Sequence, residues 1–271
     1  MGVQKCATTW LHRILDEHPD IGVPARKEID FFSRHYDHGY AWYERWFEGC
    51  RQTAVGEVSP SYFYEPAVPG RVARFVPDVK IVAIFRDPVE RTLSNHRHEV
   101  RVGHLAGPDL SLETGLENNP TYVDQGRYAT HLRRWLDCFP ERQILTVLMD
   151  DIRDDPAAVA ARVYGFLDVD PAHLPDSLEE RPNRSFANRH RTLSTVKDRL
   201  YGMTRRPSLN WLWATGVKVG GRAAYRRLNV VASSDAIPAP KESTIAGLRE
   251  AFTPEVQGLS RMIGRSLEHW L

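Results

Sequence analysis

Short runs of β-branched residues alternate along this chain with stretches whose apolar positions recur at helical spacing. Val79 to Phe85 (VKIVAIF) and Ile144 to Met149 (ILTVLM) show no polar alternation, which predicts strands buried on both faces. Thr8 to Glu17 and Ala129 to Cys138 carry helical spacing, and the second stretch meets its stop at Phe139-Pro140. Each strand run leads into Asp or Arg and then a helix-like segment. Pro88 and Pro156 stand near the first turn of two such segments, where a missing N–H costs little. Strand–turn–helix repetition predicts an α/β fold: a single domain over residues 1–271 with a central, mainly parallel sheet flanked by helices. Ligands of such sheets sit beyond the carboxyl ends of the strands, so the turns there are where chemistry is expected.

Composition narrows the function classes. The formal charge of the 271 residues is only +1, which fits neither an acidic solvating tail nor a globally basic nucleic-acid binder. Three cysteines (Cys6, Cys50, Cys138) with no CxxC pairing favour a reducing compartment over a disulfide framework or a thiolate zinc site. The longest apolar runs are too short to span a bilayer, and no basic-then-apolar leader opens the chain. A cytoplasmic protein is the expectation. The charge is unevenly spread, however. Residues 181–229 hold twelve Lys or Arg and one acid (Asp198), a net of +11 that leaves −10 for the rest. A field of that size commonly faces phosphate, sulfate or an anionic lipid surface. Within it Trp211 and Trp213 stand among arginines. This composition fits a lid over a bound anion, with the tryptophans in the core, or peripheral contact with anionic lipid.

The first turn reads Gly2-Val3-Gln4-Lys5-Cys6-Ala7-Thr8-Thr9. It lacks the GK[ST] ending of a Walker loop, yet its physics suits an anion. Free N–H groups and the positive end of a helix dipole would face the ligand, Lys5 would add a full charge, and Thr8 and Thr9 would add hydroxyls. A capped helix with a surface lysine is the bland alternative. Arg86 leaves the end of a buried strand with a planar fork suited to phosphate, and an ion pair with Asp87 or Glu90 competes with that role. Arg91 has the same competitor and a weaker functional claim. Glu28 is able to take a proton from an attacking alcohol, or simply to pair with Lys27 or Arg26. The acids Asp150, Asp151, Asp154 and Asp155 read as a helix cap and start rather than a magnesium site. His96 and His98 lack further ligands at zinc spacing.

Taken together, GVQKCATTWL, KEIDFF (residues 27–32), GEVSPSY (56–62) and FRDPVERTLS (85–94) follow one another in the order seen in a known family. The chain resembles sulfotransferases that use 3′-phosphoadenosine 5′-phosphosulfate (PAPS), in particular bacterial relatives of the heparan sulfate N-/O-sulfotransferase type. The segments QGRYATHLRRWLDCFP and ILTVLMDDIRDDP, and residues Asn183 to Leu193, extend the similarity to about residue 193. The resemblance implies a P-loop-like sulfotransferase fold and PAPS as sulfuryl donor. It implies that Lys5, Cys6, Ala7, Thr8 and Thr9 hold the 5′-phosphosulfate, and that Arg86 and Ser94 hold the 3′-phosphate. Arg189 and Arg191, in the late loop, would close over the nucleotide. Glu28 is the implied base and Lys5 the group that neutralises the leaving oxygen, with no metal required. The acceptor would be a hydroxyl, or an amine, on a small molecule, sugar or lipid.

Two departures matter. Val58 stands where heparan-type enzymes often carry Lys, which argues against a heparan acceptor more than against the reaction. Met1 abuts Gly2, although such a loop should follow an apolar strand of roughly five residues, so a truncated start is expected. A P-loop kinase and a catalytically inactive nucleotide-binding module remain the competing readings; the missing GK[ST] counts against the first.

Overall fold

A computed structural model describes residues 3–105, 109–178, 186–188, 230–232 and 237–271. Gly2, Arg189, Arg191 and, apart from the backbone of residues 186–188, the basic segment 181–229 with its tryptophans lie outside the described residues. The chain forms two compact units. The first comprises Met1–Thr92, Pro120–Asn183 and Ser243–Leu271; the second comprises Leu93–Asn119 and Arg184–Glu242.

In chain order the elements are α1 (Thr8–Asp16), β1 (Ile21–Gly22), α2 (Phe31–Arg34), α3 (Tyr40–Glu44), β2 (Ala54–Val55), α4 (Val68–Phe75), β3 (Ile81–Phe85) and α5 (Pro88–Val102). They continue with α6 (Leu112–Asn118), α7 (Thr121–Asp124), α8 (Tyr128–Leu136), β4 (Ile144–Leu148), α9 (Met149–Asp154), α10 (Pro156–Phe166), β5 (Phe186–Asn188), β6 (Val230–Ala232) and α11 (Glu242–Ile263).

The expected α/β architecture is present, with parallel strands flanked by helices. β3 and β4 pair in parallel from Ile81↔Ile144 to Phe85↔Leu148, and β1 pairs in parallel with β2 through Ile21↔Ala54 and Gly22↔Val55. All five side chains of β3 are buried, as its unbroken apolar run requires. The strand starts two residues later than the pattern predicts. The Val79 N–H turns back to the Val76 carbonyl, and the Gln143 amide takes up the Pro77 and Val79 carbonyls at 2.9 and 3.0 Å. Met149 opens α9 instead of ending β4. In the second unit β5 and β6 form an antiparallel pair.

Helices of the first unit pack as their apolar faces dictate. α1 buries Trp10, Leu11, Ile14 and Leu15, and the Tyr164 hydroxyl of α10 donates to the Ile14 carbonyl at 2.7 Å. Trp135 of α8 is fully buried and donates its indole N–H to the Phe63 carbonyl at 3.2 Å. Burying such a side chain stabilises by roughly 1.5–3 kcal/mol or more. α11 lies against α8 closely enough that a Cβ on Gly258 would come within 2.7 Å of the Ala129 methyl. Pro88 and Pro156 each open a helix, where the proline ring is tolerated.

Candidate active site

The chain enters the first unit beside β3, where the Val3 N–H donates to the Ile84 carbonyl at 3.4 Å. This contact fixes the loop ahead of α1 at the carboxyl end of β3. Lys5 and Ala7 both have left-handed backbone, with φ of 74° and 53°. Non-glycine residues hold that conformation only under constraint, and alternating it with ordinary backbone turns successive N–H groups toward one concavity. Ala7 caps α1 without a side-chain bond, and no acid stands in the helix's first turn. Of the bland alternative, a capped helix with a surface lysine, the structure shows a cap formed by backbone alone and a lysine that is half-buried. What the sequence builds is a helix N-terminus suited to an anion. Thr8 is buried and Thr9 half-buried beside it.

Cys6 is fully buried, with its sulfur 3.9 Å from the Tyr128 hydroxyl. Burial pushes its thiol up to about 11, and the charges of Arg91, Arg86 and Lys5 all act to pull it back. The thiol therefore stays protonated. Arg86, at the end of β3, keeps a side chain only 12% exposed; it donates to the Glu90 carboxylate at 2.6 Å, while its buried Nε has no partner. Asp87 does not compete for Arg86. Its carboxylate caps α5 by accepting from the Val89 and Glu90 N–H groups at 2.8 and 3.2 Å.

Arg91 is the surprise. It is fully buried, and its guanidinium donates to Thr92 Oγ1 at 2.9 Å, to Gln125 Oε1 at 3.4 Å and to the Tyr122 carbonyl. None of these is a carboxylate, and Nε has no hydrogen-bond partner among the described residues. Burial lowers its pKa. The competition with Asp87 or Glu90 anticipated from sequence does not arise, because the partner carbonyl comes from more than thirty residues away.

The candidate base stands on a different loop. Glu28 has φ of 63° and Asp30 has φ of 55°, so a second pair of strained non-glycine residues marks this segment. The Glu28 side chain is 49% exposed and its carboxylate accepts from the Lys27 ammonium at 2.5 Å. The pairing expected of a surface glutamate is thus present, at a position whose backbone is anything but that of an ordinary surface residue. Behind it, the turn 57–62 supplies a buried polar cluster. Glu57 accepts from the Ser59 and Tyr62 hydroxyls at 2.5 and 2.6 Å, and Tyr43 adds a third hydroxyl. Burial raises the Glu57 pKa, and these bonds oppose the rise.

Other sequence candidates are accounted for. Ser94 is half-buried on α5 and belongs to the second unit. Asp155 caps α10 by accepting from the Ala158 N–H at 2.9 Å. Asp150 accepts from Arg153 and the Trp270 indole, and Asp151 from Arg265. His96 meets the Leu110 carbonyl at 2.9 Å. Among the described residues no group of three or more His, Cys, Asp or Glu is arranged to hold a metal ion. Nor, among those residues, is any helix long and apolar enough to cross a membrane. Sequence reasoning missed Glu57, and underrated Arg91. The signal for the first was a glutamate inside a turn otherwise made of apolar and hydroxyl residues.

The described residues thus give an α/β protein with a helix N-terminus that lacks a side-chain cap at the carboxyl end of a parallel strand pair, and a carboxylate on a second loop of left-handed backbone. The chain belongs to the sulfotransferase domain family, whose model matches residues 1–201. It is 32% identical over 69% of its length to a mouse bifunctional heparan sulfate N-deacetylase/N-sulfotransferase 4, spanning 24% of that protein. Human heparan sulfate glucosamine 3-O-sulfotransferase 3B1 is 33% identical over 62% of this chain, which spans 44% of it. The chain therefore covers less than half of either curated relative. The crystal structure of a sulfotransferase from Alicyclobacillus acidocaldarius superposes with a TM-score of 0.69 at 25% identity, covering 100% of this chain and 96% of that one.

Proposed function

We propose that this protein transfers the sulfuryl group of PAPS to a hydroxyl, or an amine, of a small-molecule, sugar or lipid acceptor. The observation that carries this reading is the loop ahead of α1: the Val3 N–H bonds the Ile84 carbonyl at the end of β3, Lys5 and Ala7 hold left-handed backbone, and α1 opens without a side-chain cap. The donor's charge suits that setting: the loop N–H groups and Lys5 take the phosphosulfate, and Arg86, whose Nε has no hydrogen-bond partner among the described residues, takes the 3′-phosphate. In the reaction the acceptor oxygen attacks sulfur in line. The bond from sulfur to the bridging phosphate oxygen breaks, adenosine 3′,5′-bisphosphate leaves, and the acceptor's proton passes to Glu28. Lys5 neutralises the charge gathering on the leaving oxygen. Positioning and electrostatics supply the rate, and no metal enters the scheme.

Heparan sulfate, named in the curated relatives, is not carried over as acceptor. Val58, in the place of a lysine, is 2% exposed and offers the acceptor no charge. Calorimetric titration with adenosine 3′,5′-bisphosphate, AMP and Mg·ATP tests the reading. Micromolar binding of the bisphosphate with far weaker AMP binding is expected; preference for Mg·ATP would move the assignment to a kinase.

A further inference from the structure

The segment that carries Glu28 is not held by its own sequence. Residues 28 and 30 both sit in the left-handed region, which for amino acids with a Cβ costs on the order of 1 kcal/mol each and persists only where the surroundings dictate it. The surroundings here are a set of directed hydrogen bonds from the turn 57–62. The Asp30 N–H donates to Ser59 Oγ at 3.1 Å, and the Phe32 N–H donates to Tyr62 Oη at 3.3 Å. Ser61 Oγ donates to the Asp30 carboxylate at 2.5 Å and lies 2.7 Å from Ser33 Oγ.

A hydroxyl both donates and accepts, so Ser59 and Tyr62 receive those N–H groups well only if their own protons point elsewhere. Both protons point to the same place. Ser59 donates to Glu57 Oε2 and Tyr62 to Glu57 Oε1. An ionised carboxylate has no proton to offer and can only accept, so Glu57 sets the direction of the whole relay. Its described hydrogen-bond partners, Ser59, Tyr62 and Tyr43, are all hydroxyls.

We propose that Glu57 is a positioning residue for Glu28: by fixing which way the Ser59 and Tyr62 hydroxyls donate, it holds the backbone of residues 30–32 and with it the strained presentation of the Glu28 carboxylate. The proposal rests on the reading of Glu28 as the base. Glu57 itself touches neither donor nor acceptor.

The isosteric change Glu57→Gln separates direction from shape. An amide presents one acceptor and one donor end, so one of the two hydroxyls must turn its proton back toward the segment whose N–H it had been receiving. Amide hydrogen exchange at Asp30 and Phe32 reads the relay directly. Slow hydrolysis of labelled PAPS, with water as acceptor, reads its consequence. Glu57→Gln is expected to lower protection at Asp30 or Phe32 roughly tenfold and hydrolysis about tenfold, with affinity for adenosine 3′,5′-bisphosphate unchanged. In a Glu28→Gln background the same change should cost no further rate, because the relay acts only through Glu28. Should Glu57→Gln fail to fold, Ser59→Ala removes the Asp30 acceptor alone and should lower protection at Asp30 while sparing Phe32. Unaltered protection in the folded variant overturns the proposal, as does an equal loss of rate in the Glu28→Gln background or a parallel loss of nucleotide affinity. Full hydrolysis by Glu28→Gln itself would remove Glu28 as base, a separate failure, because the amide protection still reports on the relay.

Discussion

The loop ahead of α1 and the loop that carries Glu28 are each backed by a charged side chain, of opposite sign, that among the described residues hydrogen-bonds to no oppositely charged side chain. Under the first, Arg91 is enclosed by a hydroxyl, an amide oxygen and a carbonyl. Under the second, Glu57 is enclosed by three hydroxyls. A buried ion pair would have satisfied either group, but it would also have cancelled its field. Solvating each ion by dipoles keeps the field and directs it. Beneath the loop, that field is positive where the proposed donor's dianionic phosphosulfate would lie; beneath Glu28, the carboxylate is converted into hydrogen-bond direction. The left-handed residues follow the same division. Left-handed backbone recurs at Lys5 and Ala7 and at Glu28 and Asp30; under the proposed function it gathers N–H groups for the donor in the first pair and aims a side chain in the second.

The most forceful way to test this division is to remove the chemistry from one side only. Glu28→Gln is expected to reduce transfer at least a hundredfold, within the roughly 10²–10⁴ of a general base, while binding adenosine 3′,5′-bisphosphate as tightly as the parent. Turnover from labelled PAPS alongside calorimetry checks both halves; a loss of binding would mean the two loops are not separable. Next in size, Arg86→Ala should weaken the bisphosphate about ten- to a hundredfold, the scale of a charge-assisted hydrogen-bonded contact, and AMP far less. Equal losses for the two ligands would mean that Arg86 does not read the 3′-phosphate.

Arg91→Met asks whether a cation that touches no ligand contributes through its field. A unit charge acting over a few ångströms beyond contact, at an effective dielectric near 20, is worth on the order of 1–2 kcal/mol, so bisphosphate affinity should fall about tenfold. Thermal stability should change little, because relief from burying an unpaired charge offsets the hydrogen bonds given up. Undiminished affinity would reduce Arg91 to a packing residue.

How much of this was legible beforehand depends on how local the cause is. α1, β3, β4, α8 and α10 follow from periodicity and proline placement, because those signals act within one element. The turn ahead of α1 was legible too, since Lys5 precedes the helix and Thr8 and Thr9 open it. Arg91 was not. Its neighbours Asp87 and Glu90 suggested an ion pair, whereas the fold spends Asp87 on capping α5 and Glu90 on Arg86, and brings the Tyr122 carbonyl to Arg91. Glu57 was hidden for a similar reason. Tyr43 comes from fourteen residues upstream, and the N–H groups that Ser59 and Tyr62 receive lie about thirty residues away.

The smallest expected effect is on stability against pH, and its sign distinguishes the buried carboxyl from an exposed one. Glu57 has its pKa raised by burial above the ordinary 4.5. Below the ordinary value folded and unfolded chains are both protonated. Between it and the raised value the folded chain keeps a proton that the unfolded chain has released, so stability falls as pH rises through that window. Tyr43 and Tyr62, which face the carboxyl, have their own pKa values raised further and stay neutral throughout. Asp151 behaves oppositely: burial opposes the change, but the bond from Arg265 holds its pKa below the ordinary 3.8, and its contribution is lost as pH falls through that lowered value. The two windows do not overlap. Melting temperatures of the parent minus those of Glu57→Gln, which cannot titrate at that position, should therefore decline from about pH 4.5 upward and level off once the folded carboxyl has ionised. A flat difference across that range would mean that Glu57 is solvated as well in the fold as in water. The contrast between a directing carboxylate and an ordinary one would then fail at its root.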